Sequence, residues 1–246
     1  MKDTERWLLV CDIDGTLYFP QKRNPGLGRF NRFIKKNKKR IVLALNSGRN
    51  LSEIALVAKK GPVFGSDWFI SSVGTSIYGS FSPESKDMEW EKKSTKAWPR
   101  EEIKECLKKC VDLEEQALES QHKGKLAYFG KKSLESLMPE IYDCVKPWKD
   151  KIKIIKSFDY YLDIVPLWGG KGGAVKHLAE RLGIPLSHVL VAGDSGNDLD
   201  MLDNEFKSII VSNYSNDLED FVQKGSAFVA KKPAALGVLE GLKHYG

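Results

Sequence analysis

The sequence predicts an α/β fold, a Rossmann-like parallel-sheet core interrupted by an inserted α+β domain. Three observations carry that reading. Short β-rich apolar runs alternate with amphipathic stretches from the N-terminus to about residue 78. The alternation fades after Gly79 and returns after Gly169. The runs Trp7 to Cys11, Ile41 to Leu45 and His188 to Ala192 each end in a turn rich in Gly, Ser, Asn or Asp, where open parallel sheets place their ligands.

Trp7 to Cys11 has the length and composition of a buried parallel strand. A helix over 25–38 is opened by Pro25, and strand 41–45, helix 51–60 and strand 68–73 follow. Gly79 to Thr95 is turn-rich and charged and reads as the passage into a second unit. There Pro99 precedes a helix over 100–120, with Ile103, Leu107, Cys110, Val111 and Leu118 as its apolar stripe. Strand 125–129, helix 133–145 and strands 151–157 and 160–165 complete the unit. The core resumes with helix 171–182, strand 188–192, helix 198–203, strand 208–211 and a helix near 233–244. Residues 1–80 and 168–246 are thus expected to form a discontinuous core, and 81–167 an inserted domain.

Bulk properties exclude several classes. The chain has 246 residues, 41% hydrophobic and 29% charged, so it is long and apolar enough for real cores. No apolar run is long enough to span a membrane. Met1 to Arg6 lead straight into the first strand, so no signal peptide and a cytoplasmic location are expected. The four cysteines show no metal-ligand spacing and read as small, reduced hydrophobes. The net charge is +6, and its densest cluster, Lys35 to Arg40, falls at the end of a predicted helix, where cations are favoured. That cluster reads as a solvated helix end, not a nucleic-acid face, though excess positive charge would attract an anionic ester.

The chemistry lies in four segments. Asp12-Ile13-Asp14-Gly15-Thr16 puts two carboxylates, one residue apart, at the end of a strand. Extended backbone turns both toward one site, where one serves as nucleophile and the other as proton donor or acceptor. Ser47-Gly48 follows the second strand; its hydroxyl and an approachable backbone N–H suit a phosphate. Lys171, within Gly169-Gly170-Lys171-Gly172-Gly173, opens a helix, where both ammonium and free N–H groups favour an anion. Gly193-Asp194-Ser195-Gly196-Asn197-Asp198 adds two carboxylates and an Asn, hard oxygen ligands that suit Mg²⁺ and not zinc. Each has an ordinary alternative: an Asp-Gly turn, an N-cap, a solvated loop lysine, a helix cap. Four in this order make the joint alternative weak.

These motifs, in this order and across the whole chain, resemble those of the haloacid dehalogenase superfamily of phosphotransferases. A finer resemblance is to its sucrose-phosphate phosphatase branch. It rests on Ser71 to Gly79, on Gln121 and Lys125, on Leu162-Asp163-Ile164-Val165-Pro166 and on Val211-Ser212-Asn213. Two positions depart from the pattern: Ser47 stands for the common Thr, and Gly15 for the branch's frequent His. The resemblance implies an α/β cap of the C2B type and Mg²⁺-dependent hydrolysis of a phosphate monoester. Asp12 would be the nucleophile and Asp14 the general acid and base. The Asp12 carboxylate, the Asp14 main-chain carbonyl and Asp194 would bind Mg²⁺, with Asp198 acting through a water. Ser47, Gly48, Lys171 and Asn197 would hold the phosphate, and Gln121, Lys125 and Asp163 the sugar. The implied substrate is sucrose 6-phosphate or a related disaccharide phosphate. Alternatives are a mannosyl- or glucosyl-type osmolyte phosphate, another small ester, or a non-catalytic module that binds a sugar-phosphate synthase. No nucleic-acid or membrane partner is implied, and the oligomeric state stays open.

Overall fold

The structure is a computed structural model that describes residues 6–19, 24, 26–60, 65–203 and 205–246. Pro25, the expected helix start, and residues 1–5 lie outside the described residues.

In chain order the first part holds β1 (Trp7–Cys11), α1 (Leu27–Lys36), β2 (Ile41–Asn46), α2 (Leu51–Lys60), β3 (Trp68–Ser71), β4 (Ser76–Tyr78) and α3 (Met88–Ser94). The middle holds α4 (Arg100–Leu107), β5 (Leu113–Glu115), β6 (Leu126–Gly130), α5 (Leu134–Val145), β7 (Ile152–Ser157) and β8 (Tyr161–Pro166). The last part holds α6 (Gly170–Arg181), β9 (Val189–Gly193), α7 (Leu199–Leu202), β10 (Lys207–Ile210), α8 (Glu219–Gln223), β11 (Phe228–Val229) and α9 (Ala234–Tyr245).

The core sheet has the order β11-β10-β9-β1-β2-β3-β4, parallel except for β4, which runs back against β3. Every residue of β1, β2 and β9 is buried, because helices cover both faces. Side chains alternate across the sheet. Trp7, Leu9 and Cys11 meet Phe30 and Ile34 of α1, Ile54 of α2 and Val238 of α9. Leu8 and Val10 join Trp90 of α3, Val175 and Leu178 of α6, Met201 of α7 and Phe221 of α8.

The middle strands form a separate antiparallel sheet, β5-β6-β8-β7. One face, with Leu126, Tyr128, Leu162 and Ile164, packs beneath Ile103 and Leu107 of α4 and Leu137 and Ile141 of α5. This mixed architecture agrees with the expected fold class.

Several elements differ from expectation. The helix expected over 100–120 stops at Leu107, and Leu113–Glu115 pairs with β6 instead. Ile103, Leu107 and Cys110 are buried as the stripe required, but Val111 and Leu118 are 78% and 84% exposed. The helical spacing past Cys110 was therefore fortuitous, and strand pairing overrode it. Helix α3 was hidden in a charged stretch with few apolar residues. Asp87 caps it by accepting from the Trp90 N–H at 2.9 Å, and the buried Trp90 indole donates to the Gly74 carbonyl. Cys106 and Cys144 are joined by a disulfide, a correction to four reduced cysteines, while Cys11 and Cys110 are free and buried. Their spacing gave no sign of it, because α4 and α5 become neighbours only on folding.

Candidate active site

Register assembles the site. Cys11 lies opposite Leu45 on one side and Ala192 on the other, so β1, β2 and β9 end level. Asp12, Ser47 and Asp194, which follow these ends, therefore share one sheet edge. The Asp12 N–H continues the ladder to the Ala192 carbonyl at 2.9 Å. Asp12 and Asp14 line one cleft of about 350 Å³, together with Ser47, Gly48, Arg49 and Asn197.

Lys171 lies beneath this floor, wholly buried in the first turn of α6. Its ammonium donates to Asp12 Oδ1 at 2.6 Å, Asp198 Oδ1 at 2.6 Å and Asn197 Oδ1 at 2.9 Å. Burial works against its charge, but Asp12 and Asp198 outweigh that and hold it above the ordinary lysine range. The helix start reaches so deep because Gly74 lies against it. A Cβ on Gly74 would fall 2.1 Å from the Gly170 carbonyl, and its φ of +88° is left-handed. Ser72 and Val73 are left-handed as well, and their N–H groups donate to the Arg49 and Ser47 carbonyls. This strained turn clamps the Ser47 loop. At this helix start, expected to offer free N–H groups to an anion, the Gly172 N–H instead donates to Asp200 Oδ2 at 2.7 Å.

Asp12, Asp194 and Asp198 are buried, with one carboxylate oxygen of each within 4.8 Å of the others. Burial, then Asp198's charge, pushes Asp194 up to about 7. Burial also pushes Asp12 above the usual carboxylate range, against the pull of Lys171. Three carboxylates thus face one ammonium, an excess of negative charge with hard oxygen donors that fits a small divalent cation. Asp198 has both oxygens engaged: Lys171 on one, and the Asp194 and Ser195 N–H groups on the other. Thr16 donates to Asp194 Oδ1 at 2.6 Å. A Cβ on Gly15, at φ +86°, would lie 2.1 Å from Asp194 Oδ2.

Arg49 carries no motif of its own; its only signal is its place beside Ser47-Gly48. It grips the Asp14 carboxylate with a two-pronged fork, Nε to Oδ2 at 2.7 Å and Nη2 to Oδ1 at 2.9 Å. Across the cleft, the middle sheet presents Lys125 and Asp163, an ion pair 3.2 Å apart with little solvent exposure. Gln121 is placed differently. The cleft lining includes Gln116, while the Gln121 amide brackets Ala127, accepting from its N–H and donating to its carbonyl. His122 joins the two sheets: its ring nitrogens lie 3.2 Å from Thr75 Oγ1 and 2.9 Å from Ser76 Oγ. Burial and the charge of Lys86 push this imidazole down to about 4, so it stays neutral at ordinary pH.

A family model of sucrose-6F-phosphate phosphohydrolase matches residues 5–246. The chain is 28% identical to a probable sucrose-phosphatase 3a of Arabidopsis thaliana over 98% of its length, yet spans only 60% of that relative. It is 28% identical to the mannosylfructose-phosphate phosphatase of Agrobacterium fabrum, covering 97% of this chain and 96% of that one. In fold it resembles the sucrose-phosphatase of Synechocystis sp. PCC6803, solved with sucrose and phosphate, at TM-score 0.90, 23% identity and 98% coverage of both chains. An Asp-x-Asp pair at one strand end, a lysine beneath it and a buried carboxylate cluster beside it thus accompany a match over nearly the whole length. This chain belongs to the sucrose-6F-phosphate phosphohydrolase family of the haloacid dehalogenase superfamily.

Proposed function

We propose that the chain is a Mg²⁺-dependent phosphate-monoester hydrolase, acting on sucrose 6-phosphate or a related disaccharide phosphate through an aspartyl-phosphate. One observation carries this: Asp12 stands at the cleft floor on the Lys171 ammonium, and the polar pair Lys125–Asp163 lines the same cleft. In this reading residues 1–80 and 168–246 do the chemistry, and 81–167 form the cap that recognises the sugar. The family membership and the mannosylfructose-phosphate relative support a sugar ester. The complete set of carboxylates, with Lys171, favours catalysis over a silent module. A cytoplasmic location belongs to the reading; among the described residues no helix is long and apolar enough to cross a membrane.

The Asp12 carboxylate, the Asp14 main-chain carbonyl and Asp194 would hold Mg²⁺, with Asp198 behind them. The ion would supply positive charge to the phosphoryl oxygens and offset the crowded carboxylates. Asp12 attacks phosphorus as the ester P–O bond breaks. Asp14, once it leaves the ion pair with Arg49 and carries a proton, gives that proton to the leaving sugar oxygen. Asp14 then takes a proton from water as that water attacks phosphorus, freeing Asp12 and inorganic phosphate. Ser47, the Gly48 N–H, Lys171 and Asn197 steady the phosphoryl oxygens, since this transfer is governed mainly by positioning and charge. Lys125 and Asp163 pair with sugar hydroxyls, and Gln121 acts through the strand it brackets.

A panel of phosphorylated mono- and disaccharides, assayed with Mg²⁺ and with chelator, tests this reading. The highest kcat/KM is expected on a disaccharide phosphate, with no turnover in chelator. Full activity in chelator, or a best substrate without a sugar, would overturn it.

The raised Asp194 gives a second expectation. Its folded pKa, about 7, exceeds the ordinary 3.8, so the folded state binds more protons between those values. Its contribution to stability is therefore lost as pH rises through that window. Metal-free protein should show a Tm that falls from pH 5 to 7.5, and Mg²⁺ should raise Tm more at pH 8 than at pH 5. A Mg²⁺ effect independent of pH would contradict a metal site that includes Asp194.

A further inference from the structure

The cleft-facing surface of the middle sheet carries a row of side chains of which the proposed function uses only Asp163. Along β8, Leu162 and Ile164 point into the core of the insertion, so Tyr161, Asp163 and Val165 lie on the opposite face. Val165 packs with Ile155 of β7 and with Val73 beside the Ser47 loop, closing the inner end of that face. Asp163 comes next, paired with Lys125. Tyr161 follows, about 7 Å further along the strand, and Phe129 stands opposite it with ring centroids 5.5 Å apart. Phe158, in the turn between β7 and β8, lines the cleft with Tyr161.

These two aromatic rings are open to solvent, Phe158 by 57% and Tyr161 by 42%. Phe158 and Asp159 are both left-handed without being glycine, with φ of 54° and 52°. Such backbone persists only where its surroundings hold it. Here the Phe158 N–H donates to Asp217 of the core at 2.9 Å, and Asp159 accepts from the Glu135 N–H at the start of α5. The turn is fixed from both sides, and the ring it carries is left uncovered.

We propose that Tyr161 and Phe158 form an aromatic platform that lies against the apolar C–H face of the substrate's second, unphosphorylated ring. They would thereby set a preference for disaccharide over monosaccharide phosphates. An aromatic ring offers a broad, stiff apolar surface at small entropic cost, and sugar-sized ligands need such surface beside their few polar anchors. The order along the cleft fits: phosphate chemistry at Asp12, hydroxyl recognition at Lys125 and Asp163, then a ring-sized apolar surface one step outward. This inference rests on the proposed function and adds the length of sugar that the site reads.

The test compares sucrose 6-phosphate with fructose 6-phosphate, which keeps the phosphorylated ring and lacks the second. Wild-type protein is measured first; absence of a preference for the disaccharide would overturn the functional reading and this inference with it. Given that preference, Tyr161→Ala and Phe158→Ala should each lower kcat/KM for the disaccharide about tenfold, mainly through KM. Fructose 6-phosphate should change less than about twofold, and Tyr161→Phe should behave as wild type, because the ring and not the hydroxyl makes the contact. A double variant that keeps the disaccharide preference, or an equal loss on both substrates, would overturn the platform and leave the phosphatase reading standing.

Discussion

Asp12→Asn is expected to abolish turnover, by at least about 10⁴-fold, because an amide cannot form the aspartyl-phosphate. Lysine 171 will still be buried beneath position 12, so the variant should bind phosphate esters and fail only in chemistry. Its stability should equal or exceed that of the wild type. One of three crowded, buried carboxylates becomes neutral, which relieves repulsion with Asp194 and Asp198. Initial rates with Mg²⁺ and a thermal melt would check both parts. Mass spectrometry must first exclude reversion of Asn to Asp. Near wild-type rates in a verified variant would assign the nucleophile elsewhere.

Lys171→Met should have the largest effect on the fold as well as on activity. The thioether fills similar volume but leaves Asp12 and Asp198 buried with no cation between them. Breaking a buried ion pair by removing one partner costs about 3–5 kcal/mol. In a chain of this size that lowers Tm by roughly 6–20 °C. Turnover should fall by at least about 10³-fold, because repulsion between Asp12 and an incoming phosphate dianion is no longer offset. Added Mg²⁺ should restore part of the lost Tm without restoring the rate, since it supplies charge but not the lysine's hydrogen bonds. A variant with wild-type Tm and rate would reduce Lys171 to a bystander.

Much of the core was legible because its local and tertiary signals agree. The apolar runs at Trp7, Ile41 and Val189 are central strands buried on both faces, and the turns after them carry the polar residues. Once β1, β2 and β9 end level, Asp12, Ser47 and Asp194 are brought to one edge with no further information. What escaped depended on contacts between distant segments. Leu113–Glu115 is a strand only because Tyr128–Gly130 lies beside it. Helix α3 is fastened by one tryptophan, too little for a periodic signal. Arg49 and Gln121 show the same limit among polar residues. The first grips a carboxylate 35 residues away, and the second brackets a strand, and neither role follows from residue type.

The contact between Gly15 and Asp194 has a consequence for how this sequence can change. Any side chain at position 15 would occupy the space that the Asp194 carboxylate now fills, and would require a left-handed backbone that L-residues avoid. Two motifs separated by most of the chain are therefore bound as one heritable unit. A drift from Gly15 toward a bulkier residue must be accompanied by a shift of the Asp194 carboxylate. Single exchanges at position 15 should be lost, and paired ones retained. The segments that carry Gly15 and Asp194 must then evolve in step, however far apart they lie in the gene.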